Sequence, residues 1–267
     1  MRGQFVCKDQ MTYRMPVHFR GMRYDPNTRV VYRNVMSFSV EQRTDEKALA
    51  KLVPVDFEIV RPSIVWGYAN CRDVDFMAHG EYRIFQAVVP VRYEKDGQAI
   101  DGVYPLVIFE NDATPIVGGR EEDGMPKVYC DIAGERHYER HWFANASLYC
   151  DTMLRFDYHE AAPLNDTALQ ALRENPLVNN FGYRYIPLVS ASGAATSGPV
   201  LYPQEAHPDV GWAGEMSVEV RPPRHWYENY TLYTALQTLH DLPNLGFTNG
   251  MRTLGSLRLC VADSQAL

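Results

Sequence analysis

The sequence predicts an α+β fold: an antiparallel sheet curled or closed into a barrel, with a few helices outside it. Three observations lead there. Ten strand-like segments stand against three short helical ones, whereas a doubly wound parallel sheet alternates strand with helix throughout. Aromatic residues make up 12% of the chain, with 17 Tyr, a composition suited to strands and to a lined cavity. Turn signals such as Asp96-Gly97 separate several of the strand-like runs.

The elements follow in order. Residues 35–40 read as a strand. Thr44 can then cap a helix running to Lys51, with Asp45 and Glu46 in its first turn, at the positive end of the helix dipole, and Pro54 closing it. Strands are predicted over 57–60, 63–68, 82–93 and 103–109, then over 142–149 and 153–158. Asn165 or Asp166 can cap a second helix that carries Leu169 and Leu172 and stops at Pro176. A strand over 183–188 leads into the small-residue stretch Ser190 to Gly198, predicted as a flexible loop. A strand over 215–220 follows. A third helical stretch, Leu232 to Leu239, ends before Asp241-Leu242-Pro243, and a strand over 256–261 completes the chain. With no repeat and no low-complexity linker, residues 1–267 read as one domain.

Composition excludes several functions. Hydrophobic residues at 46% and charged residues at 22% are an ordinary globular balance, and 267 residues can bury a core without disulfide or metal staples. The net charge of −7, with no run of Lys or Arg, argues against nucleic acid and anionic membranes as partners. It also means that an anionic substrate needs a locally positive site. The five cysteines, Cys7, Cys71, Cys130, Cys150 and Cys260, are odd in number, widely spaced and without CxxC. They read as reduced thiols. The polar N-terminal segment MRGQFVCKDQ has no apolar signal core, and no apolar run approaches the ~20 residues that span a bilayer. A cytoplasmic location is expected.

The most informative stretch runs from Phe109 to Cys130. Gly118 and Gly119 punctuate the end of a strand and its loop, Arg120, Glu121 and Glu122 form a charged cluster, and Gly124 and Pro126 fix the chain just before Lys127. A free lysine amine has a pKa near ~10.4 and is protonated at neutral pH. Burial disfavours the cation, and lowering the pKa by about three units corresponds to about 4 kcal/mol of destabilised ammonium. A neutral amine condenses with a ketone, and the protonated imine draws electrons from the adjacent carbon–carbon bond. Decarboxylation, retro-aldol cleavage or proton loss beside the imine can follow. Taken alone, a lysine after a proline is more often a solvated loop residue.

The surroundings change that balance. The string GREEDGMPK resembles the signature of the acetoacetate decarboxylase superfamily, where GRE is followed by a small or aromatic pair and then PK. Lys127 falls on the family's imine-forming lysine. Arg43-Thr44-Asp45 with ALAKLVP, the strands from Tyr82 to Tyr93 and from Tyr104 to Asp112, and the turn from Leu239 to Pro243 resemble further parts of the family pattern, so the likeness runs from about residue 14 to residue 262. Activation of the lysine by desolvation or by a neighbouring cation is carried over from the family, whose decarboxylase is the usual example of it. The resemblance further implies a cone-like antiparallel barrel, a mostly apolar interior cavity and a homo-oligomer.

Three departures matter. The family has a second lysine after the nucleophile, where this chain has Val128. The family's active-site arginine falls on Val35, and its active-site glutamate falls on Ile84. Strand alternation suggests substitutes: Tyr82 and Gln86 share the face of Ile84, and Arg33 and Ser37 share the face of Val35. Arg33 is therefore a candidate for the substrate carboxylate, Tyr82 and Gln86 for its polar groups, and Val35, Ile84 and Tyr129 for the pocket lining. Each has an ordinary alternative: Tyr82 as a core aromatic, Gln86 as a satisfied buried amide, Arg33 as a surface strand residue. Arg120 and Glu121 are expected to form an ion-paired turn that positions Lys127.

Other constellations carry less. His137 and His141 have a spacing that could hold a metal on a helix, but without HExxH a solvated charged turn is expected. Ser190, Ser192 and Ser197 lack GxSxG, and there is no P-loop or GxGxxG. No metal and no dissociable cofactor are expected. The sequence thus points to an imine-forming lyase acting on an oxo acid. Aldol or dehydration chemistry on a 2-oxo acid is placed ahead of decarboxylation of a β-keto acid, with a non-catalytic binding barrel as the alternative from another class.

Overall fold

The computed structural model describes residues 1–267 except 20, 24 and 26. Near the N-terminus, β1 (Met11–Thr12) and β2 (Met22–Arg23) form a two-stranded sheet. The main sheet begins with β3 (Val30–Arg43), β4 (Phe57–Ile59), β5 (Ser63–Val74), β6 (Gly80–Lys95) and β7 (Gln98–Glu110). Short strands β8 (Lys127–Tyr129), β9 (Asp131–Ile132) and β10 (Arg136–Tyr138) lead into β11 (His141–Leu148) and β12 (Asp151–Pro163). The chain ends with β13 (Leu177–Pro187), β14 (Ala194–Val220), β15 (Phe247–Leu259) and β16 (Gln265–Ala266). Between them lie α1 (Glu46–Ala50), α2 (Ala113–Glu122), α3 (Asp166–Glu174) and α4 (Tyr233–Asp241).

Strands β3, β5, β6 and β7 pair antiparallel in that order. A parallel bridge joins β7 to β13, β13 pairs with β14, β14 with β15, and β15 returns to β3. The sheet therefore closes on itself, and each strand of the ring has a partner on either side. At 27 residues, β14 outlasts the ring. Its first part pairs with β13, its middle with β15 and its end with β12, which carries β11 and β10 as an outer layer.

Alternation along the strands separates core from cavity. Phe38, Trp66, Tyr68 and Phe85 are fully buried in one core cluster, where Phe38 packs against Phe156 and Tyr158 of β12 and Tyr68 and Phe85 against Phe156. The intervening residues Ser37, Gly67, Ala69 and Ile84 are only partly buried and line a cavity. Where β14 changes partners, Trp212 stands opposite both Pro163 and Arg252. The Arg252 guanidinium lies 3.7 Å from the Trp212 ring centroid and 4.5 Å from that of Trp142, and it donates to Glu160. This stack fastens the outer layer to the barrel.

All ten predicted strands overlap observed ones, most of them longer than predicted. Asp45, not Thr44, caps α1, accepting from the Ala48 amide, and Asn165 caps α3 as expected. The stretch from Ser190 is a loop only as far as Gly193, because β14 begins at Ala194. His137 and His141 sit on a hairpin of two strands, with His141 Nε2 2.8 Å from Asp157. Helix α2 replaces what the sequence suggested was a loop. Asp112 caps it through the Thr114 amide, and Pro115 occupies the first turn, where a missing N–H costs nothing. Gly118 and Gly119 disguised it, since each lowers helix propensity by ~1 kcal/mol relative to Ala.

Candidate active site

Lys127 opens β8, which runs parallel to the end of β7 and sets Lys127 opposite Ile108. The approach is fixed by backbone. The Met125 amide donates to the Gly119 carbonyl at the end of α2, and Gly124 adopts φ +66°, a left-handed conformation that glycine adopts without steric cost. Arg120 donates to the Lys127 carbonyl at 2.8 Å, and Arg184 donates to the Glu121 carbonyl. Arg120 thus positions the lysine segment through backbone, and not through the ion pair with Glu121 that the sequence suggested. Gly119 has a direct reason to lack a side chain: a Cβ there would lie 2.7 Å from Lys127 Cε and 3.0 Å from Nζ.

The lysine side chain is 14% exposed. Its Nζ donates to the Pro115 carbonyl at 3.1 Å and stands 2.8 Å from Glu110 Oε1. Glu110 is 1% exposed, and neither of its oxygens has a hydrogen-bond partner in acceptable alignment. Burial pushes its carboxyl above the usual range, and the Lys127 charge offsets part of that rise. Asp123, at the end of α2, is pushed up to about 7 by burial, with the charge of Glu122 adding to it. A buried, under-bonded carboxylate beside an amine is an arrangement suited to proton exchange.

The pair opens onto a cavity of about 370 Å³. Tyr82, Ile84, Gln86 and Val35 line it. The hydroxyls of Tyr82 and Tyr32 are 3.0 Å apart, and burial holds both phenols above their ordinary pKa. Cys71, also in the wall, is pushed up to about 12 by burial and is no ready nucleophile.

Two expected residues lie elsewhere. Arg33 is exposed and pairs with Asp75 at 2.6 Å and Asp73 at 3.6 Å. The reason is a bulge. Leu257 of β15 faces Tyr32 and Gly255 faces Val35, so Arg33 and Asn34 together oppose one residue, and the alternation counted from Val35 slips. Tyr32 takes the inward position instead. A matching bulge at Arg72 and Asp73 of β5 keeps Cys71 and Val74 both buried. Tyr129 is half-exposed, its hydroxyl donating to Asp131 at 2.8 Å, so it does not line the cavity. In a strand of three residues, alternation fixes little beyond Lys127.

Sequence reasoning missed Glu110. It stands directly opposite Ile84, one strand over on β7. The two-residue turn Asp96-Gly97 sets Lys95 opposite Gln98, and counting back from it puts Phe109 across from Ile84. A bulge between Ala87 and Val88 shifts the register by one and brings in Glu110. Pro105, which lacks an N–H for the ladder, was the one local sign of that bulge. Arg14 was also missed. It reaches the cavity from the N-terminal segment and pairs with Glu122. Among the described residues, no group of His, Cys, Asp and Glu is placed to hold a metal ion, and no helix is long and apolar enough to cross a membrane.

Comparison with known proteins bears on the family and the fold. The family model described as acetoacetate decarboxylase matches residues 14–233. The chain is 28% identical over 233 residues to the acetoacetate decarboxylase of Burkholderia mallei, covering 84% of this chain and 83% of that one. Among solved structures, the acetoacetate decarboxylase of Legionella pneumophila superposes with a TM-score of 0.72 at 20% identity, covering 93% and 91% of the two chains. The enduracididine biosynthesis enzyme MppR, solved in complex with pyruvate, superposes with a TM-score of 0.69 at 13% identity over 97% and 98%. Likeness at these identities shows a shared fold.

Proposed function

Because the chain belongs to the acetoacetate decarboxylase family, we propose that it is a Schiff-base-forming lyase in which Lys127 condenses with the ketone of an oxo acid, and that aldol or dehydration chemistry on a 2-oxo acid follows. The observation that carries this reading is the buried Lys127–Glu110 pair opening onto a cavity. Glu110, its carboxyl raised by burial, takes a proton from the ammonium. The freed amine adds to the carbonyl carbon, and the carbinolamine loses its hydroxyl as water when Glu110 returns the proton. The resulting iminium acidifies the neighbouring carbon. Loss of a proton from that carbon to Glu110 leaves an enamine, which attacks an aldehyde or expels a β-hydroxyl. Glu110 returns the proton to the new alkoxide or to the hydroxyl that departs as water, and hydrolysis of the iminium then frees Lys127.

The missing family groups support this diverged reaction. By the sequence resemblance Val35 and Ile84 fall where the family has an arginine and a glutamate, and both stand in the cavity wall. Decarboxylation of a β-keto acid is the second reading, favoured by the relatives named as acetoacetate decarboxylases. A non-catalytic barrel is a weaker alternative, because it gives no reason for the lysine to be paired and buried.

Trapping separates these readings. The protein is incubated with pyruvate or acetoacetate, reduced with borohydride and analysed by mass spectrometry, while deuterium uptake into the pyruvate methyl group and carbon dioxide release from acetoacetate are followed. An adduct on Lys127 with deuterium exchange and no carbon dioxide is the expected result. Carbon dioxide release establishes the decarboxylase reading, and absence of an adduct with any oxo acid overturns both.

Arg14 takes the carboxylate-binding role first assigned to Arg33. A charge-assisted hydrogen bond lost from the bound substrate corresponds to roughly tenfold or more in affinity. Arg14→Ala is therefore expected to raise KM about tenfold with little change in kcat. Arg33→Ala, which removes only surface pairs with Asp73 and Asp75, is expected to leave both constants within about twofold. Steady-state kinetics on the two variants checks this, and the reverse order would restore Arg33.

A further inference from the structure

The cavity is larger than a three- or four-carbon oxo acid requires. Its volume of about 370 Å³ lies in the ~300–1,000 Å³ range of sites that take drug-sized ligands. Its shape follows from the strand register. Lys127 pairs with Ile108, Ile108 with Gln86, Gln86 with Gly67 and Gly67 with Ser39, so these residues form one row across β8, β7, β6, β5 and β3. A second row joins Glu110, Ile84, Ala69 and Ser37.

Both rows change character along their length. At the Lys127 end stand the ion pair and two isoleucines, Ile84 and Ile108. Beyond them the two rows continue through Ala69, Gly67, Ser37 and Ser39, all small, all lining the same cavity and none fully buried. Gln86, in the Lys127 row, leans over Gly67, 3.2 Å from where a Cβ would stand, and Val65, Trp66 and Tyr68 also border this part of the cavity. The Gln86 amide and the two serine hydroxyls make no side-chain hydrogen bond among the described residues. At ~4.8 Å per strand, the row from Lys127 to Ser39 covers roughly 19 Å along the curved wall. Arg14 meets the cavity beside α2, where it pairs with Glu122.

We propose that the substrate is an elongated 2-oxo acid whose unbranched, mainly aliphatic tail lies in the channel over Ile84 and Ala69, beside the Gln86 side chain, and ends near Ser37 and Ser39. This rests on the Schiff-base reading: the oxo carbon sits at Lys127, the carboxylate faces Arg14, and the tail runs the other way. With the lysine side chain occupying part of the span, the remaining length fits a tail of roughly eight atoms. Gln86 and the serines offer hydrogen bonds to a polar group at the far end of such a tail.

A chain-length series tests the assignment. Straight-chain 2-oxo acids from pyruvate to 2-oxodecanoate are assayed for kcat/KM of imine formation, read as borohydride-trapped adduct on Lys127. In the wild type, kcat/KM is expected to climb roughly fourfold per added methylene until the channel is full. Ala69→Leu is expected to end that climb at a shorter chain than Ser39→Leu, because Ala69 lies nearer the lysine. A wild-type series that is flat in chain length overturns the channel while leaving the Schiff-base reading intact. Loss at all lengths by the same factor in both variants also overturns it, since a merely structural disturbance has no length dependence. Absence of an adduct at every length, pyruvate included, removes the underlying reading instead.

Discussion

Lys127→Met is expected to eliminate the borohydride-trapped adduct and to lower turnover by at least about 10⁴-fold, as loss of a covalent nucleophile does elsewhere. The fold should survive, because the barrel ladder does not depend on this side chain. Stability, however, should acquire a pH dependence. Without the ammonium, nothing offsets the burial that raises the Glu110 carboxyl. A carboxyl whose folded pKa lies above its unfolded value favours the folded state at low pH, and that advantage is lost as pH rises towards the folded value. Leaving a buried charge uncompensated typically costs about 3–5 kcal/mol. The variant should therefore match the wild type in urea denaturation near pH 5 and fall below it at pH 8. Equal loss at both pH values would mean that Glu110 does not stay ionised in the pair. Residual trapping in the variant would mean that another amine carries the chemistry.

Glu110→Gln is the second large effect. It keeps size and burial but removes the proton acceptor, and kcat should fall about 10²–10⁴-fold with KM little altered. Because the carboxylate form must be present to accept a proton, wild-type activity should decline as pH drops through the raised Glu110 value. In the variant that acid limb should vanish from the pH profile. If the limb persists unchanged, Asp123, pushed up to about 7, becomes the acceptor, and the assignment to Glu110 fails.

Much of this site was legible beforehand, and the failures have physical causes. Lys127 could be found because its setting is local: Gly124 and Pro126 stand next to it in sequence, and backbone geometry of that kind leaves a readable trace. Tyr82, Ile84 and Gln86 could be placed because β6 runs without interruption through them. Arg33, by contrast, was read through a bulge. One additional residue in β3 reverses the facing of everything before it, and no residue type in Tyr32-Arg33-Asn34-Val35 announces the slip. Glu110 needed two facts at once, a hairpin register and a bulge within it, and only the first was visible. Helix α2 was hidden by Gly119, whose absent side chain answers to Lys127 further along the chain and not to the helix. Barrel closure likewise rests on non-local pairings of β7 with β13 and β14 with β15, which no short window contains.

One strand serving two layers has a consequence for access to the amine. Since β14 runs unbroken from the barrel wall into the outer sheet, and Arg252 is wedged between indoles at the crossing, those layers cannot swing apart like a clamshell. Any path to the interior therefore does not run between these two layers, and at the cavity Arg14, from outside the ring of strands, pairs with Glu122 of α2.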